Sequence, residues 1–436
     1  MKVCLIKPPM PFGWTPVAPP VLEYLGALTK GAVPDVELEL IDGSAAPPLP
    51  EDIEADLVGI SCLTATAAAG YRIADGLRKK GIRVILGGMH PTALPMEAKE
   101  HADSVVVGEA ESVWGEVLKD AEKGTLKTFY YGERLPLENM PTPLYGYLKG
   151  RYRFRAVSTS RGCPYNCTFC SVKPFFGKTI RYRPIEDVAK DVEAIPGSIY
   201  LNSDENVWAG NIQRAIDLFT ALRGSRKKWL GFGSLGAVGS PLGDKLLKAA
   251  KESGLITLWV GWEAMSDKGI SSYRANAKIG SNREYAIKKI KDYGIDVSLF
   301  VMLGGMADTL NDFDKTVDLA DKLGVSIHLS LAVPYPGTEL YEEYKPFLIK
   351  DMGWEFYTGS YAVFEHPDLA MTPQVREQKF YEVSLQLLSL RRIFKHLIDI
   401  PISGFPSSHM LSLMSQLPVR QGMKRAYEKW KTNKGK

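Results

Sequence analysis

A chain of 436 residues that is 45% apolar and 24% charged has the content of a soluble globular protein and can bury more than one core, which excludes a disordered or collagen-like polymer. Five cysteines are too few for a disulfide scaffold, so a reducing compartment, the cytoplasm, is expected. The net charge of +4 is uneven: the last sixteen residues, QGMKRAYEKWKTNKGK, carry +5 and the remainder −1, so the tail reads as a solvated terminus and nothing marks the body as a nucleic-acid binder.

The chain opens MKVCLIKPP, whose apolar run breaks on two prolines and is too short for a signal peptide; no later stretch is long and apolar enough to be a transmembrane segment. Apolar, β-branched runs at 2–7, 36–42, 56–61, 83–88 and 104–109 read as five strands. Between them, VLEYLGALTKG and AAGYRIADGLRKKG carry apolar residues at helical spacing and end on glycine. Alternating strands and helices imply an α/β fold with a doubly wound parallel sheet, whose ligands sit at the carboxyl ends of the strands. Those ends are KPPMPFGW, SCLTATA, GGMHPT and GEAES, all loop-like and small or polar.

Residues 123–150 lose the period and gather Pro, Gly and Tyr, as a linker does. A second series follows at 155–160, 197–202, 228–234, 256–263, 297–303 and 326–332, which suggests a partial (β/α)6 barrel. Residues 373–398 read as one long amphipathic helix. The expected organisation is therefore 1–122 as a Rossmann-like domain, 123–150 as linker, 151–345 as barrel and 346–436 as a mainly helical extension.

Three of the five cysteines stand in SRGCPYNCTFC, directly after the first barrel strand: Cys163, Cys167 and Cys170, spaced C-x3-C-x2-C. Three thiolates on one loop can hold three irons of a [4Fe–4S] cube and leave the fourth open. A zinc knuckle, or a cluster completed by a fourth cysteine, is the alternative; Cys4 and Cys62 lie in the other domain, on or beside buried strands.

With Phe169 before the third cysteine, this stretch resembles the signature of the radical S-adenosylmethionine (radical SAM) superfamily. The resemblance implies that the open iron chelates SAM, whose reductive cleavage yields a 5′-deoxyadenosyl radical, with electrons from a donor such as flavodoxin or ferredoxin. SDENVWAG (203–210) stands where family members carry an acidic segment near the SAM amino group, which points to Asp204 or Glu205, with Asn206 a weaker choice. WVGWEAMSD (259–267) resembles a Gly-aromatic-Glu-Ser segment, with Glu263 as a SAM contact and Ala264 departing at the Ser position. VMLGGMADT and PYPGTELYE resemble later landmarks of the family, although turn geometry accounts for them equally well.

The first domain resembles the cobalamin (B12)-binding branch of the same superfamily. Ser61, Leu63 and Thr64 match its Ser-x-Leu/Thr element, and Gly87 and Gly88 its glycine pair beside the nucleotide tail. The Asp-x-His-x-x-Gly element that supplies a lower cobalt ligand elsewhere is missing. His90 lies in a different loop and is read as a hydrogen-bonding residue at the loop or corrin edge. The alternative for this domain is a docking or substrate-binding module without cobalamin.

The resemblance covers about residues 1–345 and implies a cobalamin-dependent methyltransferase acting on an unactivated carbon of a small-molecule biosynthetic intermediate, with catalytic residues left unassigned. A radical SAM cyclase, oxidoreductase or rearrangement enzyme of the same architecture is the alternative. A methylthiotransferase would carry three cysteines in the first domain, where this chain has two. The last ninety residues, with FLIKDMGWEFY and FPSSHMLSLM, are expected to cap the cavity and favour a bulky apolar substrate.

Overall fold

A computed structural model describes residues 1–11, 17–148, 150, 152–280, 282–399 and 407–433. Six parallel strands form the first sheet: β1 (Lys2–Lys7), β2 (Glu37–Asp42), β3 (Leu57–Ser61), β4 (Arg83–Gly87), β5 (Ser104–Gly108) and β6 (Phe129–Gly132), in the order β2-β1-β3-β4-β5-β6. Five of these are the runs read from the sequence. The sixth lies at 129–132, where the sequence shows only loss of period, and it pairs in parallel with β5. Its segment continues against the same sheet: Leu144 N–H donates to the Glu23 carbonyl (3.0 Å), and Tyr147 OH to the Leu38 carbonyl (2.7 Å).

Helices Pro20–Ala32 and Trp114–Lys123 cover one face of this sheet, where Leu22, Val117 and Trp114 are buried. Helix Thr64–Lys79 covers the other, packing its Leu77 and Ala74 into the cluster that holds Cys62 and Ile60. Burial of each such side chain contributes about 1.5–3 kcal/mol, which is why the β-branched runs fold as interior strands. The chain passes from β1 outward to β2 and then back to β3 on the other side, so the sheet reverses direction between β1 and β3. In open α/β sheets the crevice at that reversal takes the ligand.

The second sheet comprises β7 (Ala156–Val157), β10 (Ile199–Asn202), β11 (Lys228–Phe232), β12 (Leu255–Glu263), β13 (Asp296–Leu303) and β14 (Ser326–Leu331). They lie in the order β14-β13-β12-β11-β10-β7, every pair parallel, as a partial barrel. Between β7 and β10 a short antiparallel pair, β8 (Ser160–Arg161) and β9 (Arg181–Tyr182), frames the cysteine loop. The outer face, with Trp229, Leu258, Val260, Leu299 and Ile327, is buried beneath the connecting helices.

Beyond the barrel the structure departs from the single helix expected at 373–398. Two helices, Pro373–Leu387 and Leu390–Asp399, meet at a break where Ser389 N–H donates to the Gln386 carbonyl (3.1 Å), three residues back instead of four. The described part of the basic tail is not a frayed end: it belongs to helix Ser407–Asn433, and Tyr427 stacks on Tyr381 while Trp430 Nε1 donates to Glu377 (2.6 Å). Two expected features fall partly outside the described residues, namely 12–16 in the loop after β1 and 405–406 at the start of FPSSHMLSLM. Among the described residues no helix is long and apolar enough to cross a membrane.

Candidate active site

The strand ends of the two sheets meet on one cavity of about 390 Å³. From the first sheet come Leu5, Ile6, Gly59, Ile60, Ser61, Gly87, Gly88 and Gly108; from the second, Ala156, Ser158, Arg161, Ser203 and Glu205. Its inner end runs between the first sheet and helices Pro20–Ala32 and Trp114–Lys123, lined by Leu22, Leu25, Leu28, Val106 and Trp114. An apolar slot of this size inside an otherwise close-packed domain is a ligand site. None of the described residues beyond 345 lines it, contrary to the expected cap. Trp354 packs behind the first domain, meeting His90 edge-on at 4.9 Å and donating to Glu97, whereas Phe380, Tyr381 and Leu387 pack into the core of the barrel.

Small residues keep the slot open. Gly88 has φ +97°, and a Cβ there would lie 2.7 Å from the Cys62 carbonyl oxygen, so only glycine fits. Gly87 is different: a Cβ would meet Val106 at 3.6 Å, ordinary contact, so its missing side chain serves the cavity rather than the fold. Of the other residues read as cobalamin contacts, Ser61 lines the cavity, whereas Leu63, Thr64 and His90 do not. Leu63 is exposed before helix Thr64–Lys79. His90 is fully buried, with its two ring nitrogens 3.3 Å from Thr64 Oγ1 and 3.1 Å from Glu97.

A buried ionic network joins the two halves beside the cavity. Glu109, at the end of β5, accepts from Arg161 (2.8 Å) and from both terminal nitrogens of Arg181. Arg161 also pairs with Glu111 and lies over the Tyr24 ring at 5.2 Å. Since Arg161 is two residues before Cys163, this network ties the end of β5 to the cysteine loop. Arg155 makes a second clasp with the buried Glu23. Sequence reading missed both, because neither pairing has a local signal; GEAES shows only that acids stand at a strand end.

The cysteine loop is held from three sides. Cys163 N–H donates to the Gly177 carbonyl (3.3 Å), Thr168 N–H to that of Tyr273 (3.1 Å), and Leu340 N–H to that of Thr168 (2.9 Å). Gly162, at φ +95°, passes so close to Thr179 that a Cβ would sit 2.5 Å from its carbonyl oxygen. Phe169 meets Tyr273 edge-to-face at 5.5 Å. Burial pushes all three thiols up, Cys167 to about 12, against the pull of the nearby Lys278 ammonium. Among the described residues no three Cys, His, Asp or Glu converge on a single ion. In a cube the three thiolates would each bind a different iron.

The acidic residues differ in what they have left to offer. Asp204 is fully buried and saturated: it accepts from Thr159 N (2.6 Å) and Oγ1 (2.5 Å) and from Ser160 N (3.1 Å) and Oγ (2.8 Å). Glu205 lines the cavity, and its buried Oε2 has no partner among the described residues. Burial, reinforced by Asp204, raises its carboxyl to about 8. Asn206 is buried, with Nδ2 unpartnered. Glu263 sits at a strand irregularity with φ +68° and pairs with Lys278, a residue the sequence did not single out. Burial opposes the charge of Lys278, but Glu263 and the thiols of Cys167 and Cys170 outweigh it and hold the ammonium charged.

Comparison with known proteins agrees with both halves of this geometry. Residues 157–320 match the Radical SAM superfamily model, and residues 22–118 match that of the B12 binding domain. The chain belongs to the cobalamin-binding radical SAM enzymes. A bacteriochlorophyllide d C-8(2)-methyltransferase of Chlorobaculum tepidum is 29% identical over 365 residues, 78% of this chain and 80% of that one. An anaerobic magnesium-protoporphyrin IX monomethyl ester cyclase of Rubrivivax gelatinosus is 23% identical over 342 residues, 67% of this chain and 59% of that one. The fold is shared with the cobalamin-dependent S-adenosylmethionine radical enzyme OxsB, solved with aqua-cobalamin and S-adenosylmethionine (TM-score 0.68, 15% identity, 100% of this chain and 81% of that one).

As a member of this family the protein uses a [4Fe–4S] cluster, SAM and cobalamin. The residues fit these groups. The glycine-opened slot has the small, apolar walls that a nucleotide tail requires; the three thiols, Cys167 buried and Cys163 and Cys170 half-buried, do not line the cavity themselves but stand on the loop whose flanks, Arg161 and Phe175–Phe176, do.

Proposed function

We propose that this enzyme methylates an unactivated carbon of a bulky, apolar small molecule held between the two sheets. The observation that supports this reading is the cavity that strand ends of both sheets line, with the glycine-opened slot on one side and Glu205 and the flanks of the cysteine loop on the other. When bound, the cluster and SAM supply a carbon-centred radical and cobalamin carries the methyl group; electrons come from a small carrier such as flavodoxin or ferredoxin.

The chain's own contribution is positioning and exclusion. Cys163, Cys167 and Cys170 hold the cluster, and their burial keeps water from it. Lys278 balances the charge of the thiolates and of Glu263. Phe169, Glu263 and Glu205 are the SAM contacts, Glu205 because its free oxygen faces the cavity, whereas Asp204 braces the turn at Thr159–Ser160. Ser61, Gly87 and Gly88 receive the nucleotide tail. Glu109, bridging Arg161 and Arg181, fixes the separation of the two cofactor sites. The limits 1–122, 123–150, 151–345 and 346–436 are kept as a proposal, with β6 carrying the first sheet into the segment read as linker.

The test is anaerobic turnover of enzyme loaded with iron, sulfide and hydroxocobalamin, with methyl-labelled SAM. Label in a product together with 5′-deoxyadenosine supports methyl transfer. Production of 5′-deoxyadenosine with an unlabelled product hands the reaction to ring closure, oxidation or rearrangement.

A further inference from the structure

Side chains on the inner face of the second sheet are unlike those on its outer face. Along β12, Leu258, Val260 and Trp262 point out into the packed core, and Trp259, Gly261 and Glu263 alternate inward. Along β13, Leu299 and Val301 are core and Phe300 and Met302 alternate inward. Phe232 at the end of β11 and His328 on β14 complete the inner row. Phe232 is the register partner of Trp259, and His328 that of Phe300.

These four rings touch one another. Phe232 lies 5.0 Å from Trp259 and 5.2 Å from Phe300, Trp259 5.9 Å from Phe300, and His328 stacks on Phe300 at 4.7 Å and 19°. Three of the strands are interior, where large apolar side chains normally vanish from solvent. Yet none of the four belongs to a hydrophobic core among the described residues: Phe232, Trp259 and Phe300 are half-buried and His328 is exposed. Gly261, register partner of Phe300, lies directly beneath the Glu263–Lys278 pair: a Cβ there would strike the Glu263 carboxylate and lie 2.7 Å from Lys278 Nζ, so that pair borders the ring cluster on the side of the cysteine loop.

We propose that Phe232, Trp259, Phe300 and His328 form a stacking floor for a planar conjugated ring system in the substrate. The proposal rests on the reading of this chain as an enzyme whose small-molecule substrate reaches the barrel, and it names the class of that substrate. Clustered ring faces and edges favour a flat π-system over a saturated skeleton of equal area. His328 gives the floor one polar contact. Its exposed imidazole makes no hydrogen bond among the described residues and can accept or donate one.

The test uses the full chain, loaded with cluster and with hydroxocobalamin so that the B12 slot is filled. Protoporphyrin IX serves as the planar probe, followed by its emission, and deoxycholate as an apolar, non-planar competitor. The expected result is saturable porphyrin binding that weakens about 10-fold in Trp259→Leu and in Phe300→Leu, stays within about 3-fold in Trp259→Phe, and resists deoxycholate. Iron content stays at the parental level in all three variants, which separates lost binding from lost folding. Equal binding by Trp259→Leu and the parent, displacement by deoxycholate at matched concentration, or no saturable binding by the iron-loaded parent would overturn the floor. None of these outcomes touches methyl transfer itself, which fails separately if labelled product is absent.

Discussion

At the ends of β3 and β4 the first sheet offers Ser61, Gly87 and Gly88, whereas beyond β7 and at the end of β12 the second offers three thiols and the Glu263–Lys278 pair. One face binds by withholding side chains and the other by supplying ligands. The contrast follows from what each must hold: a large preformed cofactor that needs room, against irons that need donor atoms. It also predicts how each side fails. A ligand lost from the second face removes a cofactor outright, whereas the first is damaged by atoms added.

The largest effect is expected on the supplying face. Changing Cys163, Cys167 or Cys170 to Ala should cut 5′-deoxyadenosine formation by about 10³-fold or more and leave cobalt content near that of the parent. Residual SAM cleavage in all three variants would contradict their role. On the withholding face, Gly87→Leu should fold, because its Cβ has room, yet weaken hydroxocobalamin binding by about 10–100-fold with iron content unchanged. Unaltered cobalt uptake would show that the slot holds something else.

The comparison is sharpened where the faces join. Glu109→Gln leaves the ligands of each side in place but weakens its pairing with Arg161 and Arg181. Iron and cobalt contents should persist, while labelled product per 5′-deoxyadenosine falls by about 10-fold, since small misplacements are costly to group transfer. The smallest effect concerns Glu205 in the cofactor-free chain. Its folded carboxyl titrates at about 8 against an ordinary 4.5, so as pH rises between these values the unfolded state ionises first and the parent loses stability. Glu205→Gln does not ionise, so its Tm should exceed that of the parent by a margin that grows by about 2–4 °C from pH 5 to pH 8. A constant difference across that range would show that the carboxyl is not held protonated.

Much of this molecule is legible in local sequence. C-x3-C-x2-C is complete within eight residues, and interior strands announce themselves as β-branched runs, so the cysteines and eleven of the twelve strands in the two six-stranded sheets could be read directly. The missed strand, Phe129–Gly132, is four residues of Phe, Tyr and Gly that become a strand only by lying against β5. Lys278 and the Glu109–Arg161–Arg181 network escaped for the same reason: partners fifty to seventy residues apart, or across an irregular strand end, leave no spacing to detect. Between Asp204 and Glu205 sequence could not choose, because the difference lies in the four donors that Thr159 and Ser160 bring to Asp204. The break at Leu388 was hidden because apolar spacing continues through it.

That one cavity serves two cofactors, each held by its own face, is tested most directly by metal content. The parent, Cys163→Ala and Gly87→Leu would be reconstituted anaerobically with iron, sulfide and hydroxocobalamin, desalted and analysed for iron and cobalt. The parent should retain about four irons and one cobalt per chain, Cys163→Ala the cobalt alone and Gly87→Leu the irons alone. A parent that keeps its irons but retains no cobalt would contradict the account.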